Sequence, residues 1–123
     1  MIKAIALIDS FKGCLTSSQA GKAAIAAFQS GEAASIPVSD GGEGFSTIMT
    51  EMLGGSFKEI SCSDPLGRPI KARYGLLDNG ETAIIETAEA SGLGLLLKDE
   101  RNPLQATSYG TGELILDALR HGA

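Results

Sequence analysis

Apolar runs alternate with helical patterns over the first 55 residues, and this alternation limits the fold more than any other feature of the chain. The compact run from Ile2 to Ile8 is typical of a strand buried on both faces. A second apolar run, Ala33 to Val38, follows the first helical pattern. Strands that alternate with helices form parallel sheets through crossover connections, so the sequence predicts a parallel β-α-β-α unit with Ile2 to Ile8 as a central strand.

Both helical patterns carry signals for where they begin and end. Thr16 and Gln19 have the spacing of a capping box, and alanines then recur at helical intervals as far as Gly31. The second pattern begins at Phe45 and has apolar residues at i+3, i+4, i+7 and i+8 before Gly54-Gly55. Each pattern therefore predicts a helix that packs one face against the sheet.

The pattern changes character after residue 55. Phe57 to Cys62 is typical of a further strand. Ile70 to Leu77 and Thr82 to Thr87 flank Asp78-Asn79-Gly80, which is a strong signal for a β-hairpin. The sequence therefore predicts that antiparallel pairing replaces the parallel arrangement.

This change predicts a domain boundary near residue 63, with one piece over 1–63 and another over 64–123. Glu113 to Leu119 has the apolar spacing of a last helix. Residues 88–102 are partly apolar but contain two glycines that interrupt any regular period, and we assign them no element.

Composition excludes several classes of protein. The formal net charge of −5, with scattered lysine and arginine, disfavours nucleic-acid binding. No apolar stretch reaches the length of a membrane span, and no secretory leader is recognisable, so we expect a cytoplasmic protein that does not bind membranes. Cys14 and Cys62 lack metal-binding spacing and are expected to be free thiols.

Glycine-rich turns follow both predicted parallel strands. Asp9 to Gly13 comes directly after the first strand, and Ser39 to Gly44 comes after the second and before a helix. A third such turn is expected at Ser108 to Glu113. Backbone N–H groups and helix N-termini at turns of this kind favour phosphate or carboxylate, so we expect an anion site at the carboxyl edge of the sheet.

Charged residues in these turns have both a functional and an ordinary interpretation. Asp9 and Asp40 stand where a carboxylate holds a magnesium ion or orients a hydroxyl, and Lys12 can contact an anion as a point charge. Alternatively, Asp9 is a turn residue and Lys12 is a solvated surface charge. Arg68 either clamps a carboxylate with two hydrogen bonds or is a solvated turn residue.

Four segments in the same order resemble the bacterial glycerate kinase family. They are Asp9–Gly13 (DSFKG), Ser39–Gly44 (SDGGEG), Pro65–Pro69 (PLGRP) and Ser108–Leu114 (SYGTGEL). The resemblance extends over essentially the whole chain but covers only the opening part of the family's length. Cys14 stands where the family usually has serine, and Asp64 where it usually has glycine.

The resemblance implies a two-domain α/β kinase in which a second α/β domain is inserted into a Rossmann-like domain, with the active site in the cleft between them. Residues 1–63 are then the start of the Rossmann-like domain and 64–123 the start of the inserted one. Family members transfer the γ-phosphoryl group of ATP to D-glycerate and need Mg²⁺. Whether this chain forms homo-oligomers stays open.

Residue chemistry and the resemblance together predict the site. The residues expected to have catalytic roles are Asp9, Lys12 and Asp40; those expected to bind substrate or phosphate are Ser10, Gly41, Gly42, Glu43, Gly44 and Arg68; those expected to hold Mg²⁺ are Asp40 and Glu43. Two other functions stay open for a chain of this length: a non-catalytic module that binds an anion or nucleotide, and an inactive piece with exposed strand edges.

Overall fold

The computed structural model describes residues 3–28 and 31–123. The chain forms two compact units, residues 1–48 and 49–123, and the division falls inside a helix, Phe45–Met52. The architecture is mixed α/β, with a parallel two-stranded sheet in the first unit and an antiparallel three-stranded sheet in the second.

The first unit has the predicted β-α-β-α order. Its elements are β1 (Lys3–Ile8), α1 (Ser17–Ala26), β2 (Glu32–Pro37) and the start of α2 (Phe45–Met52). The two strands pair in parallel from Lys3 opposite Glu32 to Ile8 opposite Pro37, which confirms the predicted pairing. Ile2 and the end of the first helical pattern at residues 29–30 lie outside the described residues.

Small residues bring α1 close to this sheet. The predicted capping box is present, because the Gln19 N–H donates to Thr16 Oγ1 at 3.2 Å and the Thr16 N–H donates to Gln19 Oε1 at 2.9 Å. One turn further on, Gly21 lies against β2, and a Cβ atom at Gly21 would stand 1.9 Å from Ser35 Oγ. Helix and strand can approach this closely only because residue 21 has no side chain.

The opposite face of the β1–β2 sheet is exposed. Ile5 is 66% exposed, Leu7 61% and Ile36 40%. The expectation that the first strand is central and buried on both faces is therefore wrong for this chain. Among residues 3–28 and 31–123, β1 has one strand partner, and α1 packs on one side of the pair.

The second unit contains the predicted hairpin. Its elements are β3 (Ser56–Ser63), β4 (Pro69–Leu77), β5 (Thr82–Ile84), α3 (Ala88–Ser91) and α4 (Tyr109–Arg120). β4 and β5 pair antiparallel across the turn that was predicted, where Asp78 and Asn79 adopt φ values of 52° and 57°. Aspartate and asparagine tolerate this left-handed conformation better than most residues, which explains the hairpin signal.

The two compact units divide between residues 48 and 49, and the domain boundary near residue 63 stays a prediction. We expected the change near residue 63, with Phe57 to Cys62 in the first piece. In the structure β3 pairs antiparallel with β4 along its whole length, from Ser56 opposite Leu76 to Ser63 opposite Pro69. Because hydrogen bonding ties β3 to the hairpin, it belongs to the second unit.

Helix α4 begins earlier than predicted and changes the interpretation of the third glycine-rich turn. Tyr109 to Gly112 is helical, and not a loop that leads to a helix at Glu113. Gly110 lies against the end of β3, since a Cβ atom there would stand 1.8 Å from the Ser63 carbonyl oxygen. Glycine at this position therefore serves close packing of the helix on the strand.

The hydrophobic core of the second unit lies between its sheet and its helices. It is formed by Cys62, Ala72, Tyr74, Ala90, Leu114 and Ala118. The segment left unassigned from the sequence, 88–102, contains α3 and two short 3-10 turns, Leu93–Leu95 and Lys98–Glu100. In the described part of the chain, no helix combines the length and the apolar character that crossing a bilayer requires.

Candidate functional site

Two of the predicted loops begin where β1 and β2 end. Ile8 and Pro37 form the last pair in the parallel register, so Asp9 and Val38 are the next residues at the same edge of the sheet. Ser17, the first residue of α1, links the two strand ends. Its hydroxyl donates to the Ile8 carbonyl at 2.6 Å and accepts from the Val38 N–H at 3.0 Å.

The Ser17 hydroxyl is buried, at 3% exposure, and uses both its donor and an acceptor position on the backbone. A buried hydroxyl with both functions satisfied holds its partners in defined positions. Ser17 therefore fixes the starting points of the two loops relative to each other.

The first loop holds its acidic residue by a local hydrogen bond. The Ser10 N–H donates to Asp9 Oδ1 at 2.7 Å, and both residues are half-buried. A tight turn follows, in which the Phe11 N–H donates to the Leu15 carbonyl at 2.8 Å. Lys12 lies within this turn and is exposed to solvent. The loop thus presents one fixed carboxylate and one solvent-facing ammonium.

The second loop is organised by its own side chains. The Gly42 N–H donates to Asp40 Oδ1 at 2.8 Å, and the Gly41 N–H donates to Ser39 Oγ at 3.2 Å. Gly41 and Gly44 adopt φ values of 92° and 91°, which few residues other than glycine tolerate. Two of the N–H groups predicted to bind an anion therefore have partners inside the loop, which an incoming anion has to replace.

Helix α2 follows the second loop directly. The Phe45 N–H donates to the Gly42 carbonyl at 3.1 Å, which closes the loop onto the first turn of the helix. The N-terminal end of a helix carries partial positive charge. The acidic residues Asp40 and Glu43 lie just before this end, where their charge is favourable.

Asp40 and Glu43 are the residues that the sequence predicts for Mg²⁺, and carboxylates are ligands of the type that Mg²⁺ prefers. Asp40 and Glu43 are exposed carboxylates in the same loop. Over residues 3–28 and 31–123, no cluster of three or more His, Cys, Asp or Glu side chains is arranged to hold a metal ion. Mg²⁺ commonly takes one or two carboxylates and completes its shell with water and substrate phosphates, so two carboxylates are sufficient for that mode of binding.

Arg68 lies in the second unit and binds carboxylates of its own chain. Its Nε–H donates to the buried Asp64 Oδ2, and its Nη1 and Nη2 donate to the two Glu100 oxygens at 2.7 and 3.3 Å. Nη2 also donates to the Leu95 carbonyl at 3.2 Å. The guanidinium is thus the two-pronged clamp that the sequence allowed, with partners inside the protein. That Arg68 binds substrate stays a prediction.

The Asp64 carboxylate organises the turn between β3 and β4. Burial alone would raise the pKa of Asp64, but hydrogen bonds from the Arg68 backbone, the Arg68 guanidinium and the Leu66 backbone outweigh it and lower that pKa. Hydrogen bonds from the Asp64 and Glu100 carboxylates raise the pKa of Arg68. Both groups therefore stay charged.

Sequence reasoning missed two residues that shape these regions. Ser17 follows the predicted cap residue Thr16, and its position at the start of α1 was the available signal for a contact with the strand ends. Asp64 stood out only as a departure from the family pattern. Its four-residue spacing from Arg68 in a proline- and glycine-rich turn is the signal for a side chain that closes the turn.

The first unit thus defines an α/β protein with acidic, glycine-rich loops at the carboxyl ends of parallel strands, a class to which many phosphate-binding enzymes belong. The model of the glycerate kinase family matches residues 4–123. The chain belongs to the glycerate kinase family.

Individual relatives agree with this assignment. The chain is 42% identical to the glycerate kinase of Bacillus subtilis strain 168 over 99% of its length, and 40% identical to the glycerate 2-kinase of Escherichia coli K12, also over 99%. The crystal structure assigned to glycerate kinase 2 from Salmonella typhimurium LT2 matches all of the chain with a TM-score of 0.73 and 35% identity.

The chain spans about a third of the length of these proteins. It covers 33% of both curated relatives and 34% of the Salmonella chain. The matched part contains both loops at the ends of β1 and β2.

Proposed function

We propose that this chain supplies the first part of the active site of an ATP-dependent kinase that phosphorylates D-glycerate. The observation that carries the proposal is the pair of loops at the ends of β1 and β2, whose starting points Ser17 holds together. Family membership supports the reaction class, and the substrate, the nucleotide and the metal are part of the proposal.

Phosphoryl transfer depends on positioning and on neutralising phosphate charge, with little covalent work for the protein. Lys12 is exposed in its turn and carries the positive charge that a phosphate or the glycerate carboxylate requires. Asp9 is held by the Ser10 N–H at the end of a strand, which gives it the fixed position expected of a catalytic carboxylate.

Asp40 and Glu43 are the residues we propose for Mg²⁺. When bound, Mg²⁺ neutralises charge on the nucleotide phosphates. The N–H groups of Gly41 to Gly44 would stabilise the same phosphate charge by donating hydrogen bonds to it. For Gly41 and Gly42 this requires exchange of the present bonds to Ser39 and Asp40, which ligand binding can drive if the new bonds involve a charged acceptor.

Replacement of Lys12 tests the proposal. We suggest joining this chain to the remaining two-thirds of the Bacillus subtilis relative and measuring ATP- and D-glycerate-dependent turnover in a coupled assay. Lys12→Met is expected to lower kcat/KM by about 100-fold or more. The reason is that the Lys12 ammonium, which would neutralise negative charge on the oxygens of the transferred group, is lost. Lys22→Met, which removes an exposed lysine from α1, is the matched control and should retain activity. Near-normal turnover of Lys12→Met would refute the assignment of Lys12.

A second candidate function is a module that binds MgATP or glycerate without catalysis. The observation that favours it is that both loops at the ends of β1 and β2 lie within these 123 residues. Calorimetry of the chain with ATP and Mg²⁺, repeated with Lys12→Met, distinguishes this function from an inactive piece. Heat of binding that Lys12→Met abolishes supports the module, and absence of binding excludes it.

A further inference from the structure

Ser17 contacts the backbone on both sides of the edge where the two predicted loops begin. Its partners, the Ile8 carbonyl and the Val38 N–H, are 9 and 21 residues away along the chain. Since the side chain is buried, water does not compete strongly for either hydrogen bond. One hydroxyl therefore sets the separation of two strand ends that are distant in sequence.

The chemistry of the hydroxyl is specific to this position. A serine or threonine oxygen both donates and accepts, whereas an alanine side chain does neither and a thiol does both weakly. Ile8 and Val38 are half-buried, so the loss of the Ser17 oxygen would leave two backbone groups poorly satisfied. The arrangement of the two strand ends therefore depends on this one atom.

Each loop also has hydrogen bonds of its own, which do not involve Ser17. The first loop contains the bond from the Ser10 N–H to Asp9 Oδ1. The second loop contains the bond from the Gly42 N–H to Asp40 Oδ1. Removal of the Ser17 hydroxyl would therefore leave both loops formed and would change their position relative to each other.

Phosphoryl transfer requires the groups of an active site to be aligned to within about 1 Å. We propose that Ser17 is a positioning residue for this transfer, because it aligns the Asp9–Gly13 loop with the Ser39–Gly44 loop; the inference rests on the proposed function. A substrate that one loop binds is still bound when the alignment is lost. The transition state, which needs both loops, is not stabilised to the same extent.

A kinetic comparison tests this role in the chimera with the remaining two-thirds of the Bacillus subtilis relative. Ser17→Ala is expected to lower kcat by about 10- to 100-fold and to leave both KM values within about threefold. Ser17→Thr keeps the hydroxyl and is expected to retain most of the turnover. Thr16→Ala is the matched control, because it weakens the same end of α1 through the bond from Gln19 but keeps both Ser17 bonds. Its kcat should stay within about twofold of the parent.

A second measurement reports on loop alignment without activity. Cys14 lies beside the first loop and is exposed, whereas Cys62 is buried, so a nitroxide spin label can be attached at Cys14 in the 123-residue chain. The label broadens amide signals in the NMR spectrum according to their distance. Ser17→Ala is expected to change the broadening of the Gly42 amide signal, and Thr16→Ala is expected to leave it as in the parent.

The outcomes separate this inference from the proposed function. A parent chimera without ATP- and D-glycerate-dependent turnover contradicts the proposed function, and the spin label then decides the role of Ser17 alone. With an active parent, the inference is overturned if Ser17→Ala has the same kcat as Thr16→Ala, or if its loss of activity lies in KM. It is also overturned if Ser17→Ala leaves the broadening at Gly42 unchanged.

Discussion

Leu114 and Tyr74 in the second unit are completely shielded from solvent, whereas Ile5 and Leu7 in the first unit keep most of their surface exposed. In the second unit, large and small apolar side chains of the sheet and the helices pack together in one core. The buried residues of α1 in the first unit are small: Ser17, Ala20 and Gly21. The second unit therefore contains a core of buried apolar side chains, while the first unit leaves apolar side chains of β1 and β2 exposed on one face of its sheet.

The difference extends to polar groups. In the second unit the Tyr74 hydroxyl donates to Asp117 Oδ2 at 2.7 Å, and Lys58 Nζ lies 3.0 Å from the same oxygen. The hydrogen bond from Tyr74 and then that from Lys58 lower the pKa of Asp117, and burial raises the pKa of Tyr74 to about 12. In the first unit the polar contacts of Asp9 and Asp40 are local hydrogen bonds within their own loops.

The strongest test of the comparison is to truncate one leucine in each unit. Leu114→Ala should cost about 3 kcal/mol, because the side chain is fully buried and leaves a cavity. Leu7→Ala in the isolated chain should cost less than about 0.5 kcal/mol, because Leu7 is already exposed. Urea unfolding followed by tyrosine fluorescence reports on the second unit, which contains both tyrosines, and amide exchange reports on β1 and β2. If both substitutions lowered the free energy of unfolding equally, the difference in packing between the two units would be contradicted.

A smaller effect is expected from Asp64→Asn, which tests the charged turn of the second unit. The variant should cost about 2 kcal/mol at neutral pH, because Arg68 loses a buried, charged acceptor. The folded-state pKa of Asp64 is lowered, so its stabilisation is complete above the unfolded pKa of about 4 and is lost as the pH falls through the folded pKa.

The dependence of the free energy of unfolding on pH, measured below pH 7, checks this prediction. Unfolding free energies measured from pH 7 downward should fall more steeply for the parent than for Asp64→Asn. Asp117 has a lowered pKa as well, so some acid dependence remains in the variant. Parallel profiles for the two proteins would show that Asp64 contributes no charge-dependent stability.

The smallest effect concerns the first unit and its helix cap. Thr16→Ala should destabilise α1 by about 1 kcal/mol, because the Gln19 N–H loses its acceptor. Amide exchange of α1 is the measurement, and Thr16→Ser, which keeps the hydroxyl, is the control. The unfolding transition followed by tyrosine fluorescence should not change. A shift of that transition would contradict the expectation that the two units unfold independently.

Local chemistry made much of the fold predictable. The capping box at Thr16, the hairpin at Asp78-Asn79-Gly80 and the alternation of the first 55 residues each depend on neighbours in sequence, and the structure contains all three. The helical state of Gly110 was not predictable in this way. Gly110 leaves room for the Ser63 carbonyl, which is distant in the chain, whereas glycine considered without that contact indicates a turn.

The positions of the two loops were also predictable, while the roles of their residues stay predictions. The strand ends and their glycine-rich loops follow from pattern, because parallel strands end at one edge. The partners of Arg68 did not follow, since Glu100 lies in a segment without regular period. The bonds of Gly41 and Gly42 to Ser39 and Asp40 depend on side-chain orientations that the sequence alone leaves open.

The hydroxyl of Ser17 has a mechanical consequence for the two loops. One oxygen atom joins the final carbonyl of β1 to the backbone just beyond β2, so neither loop can shift at its root without straining the attachment of the other. A displacement of the backbone at Val38 is therefore transmitted through Ser17 to the Ile8 carbonyl, directly before Asp9.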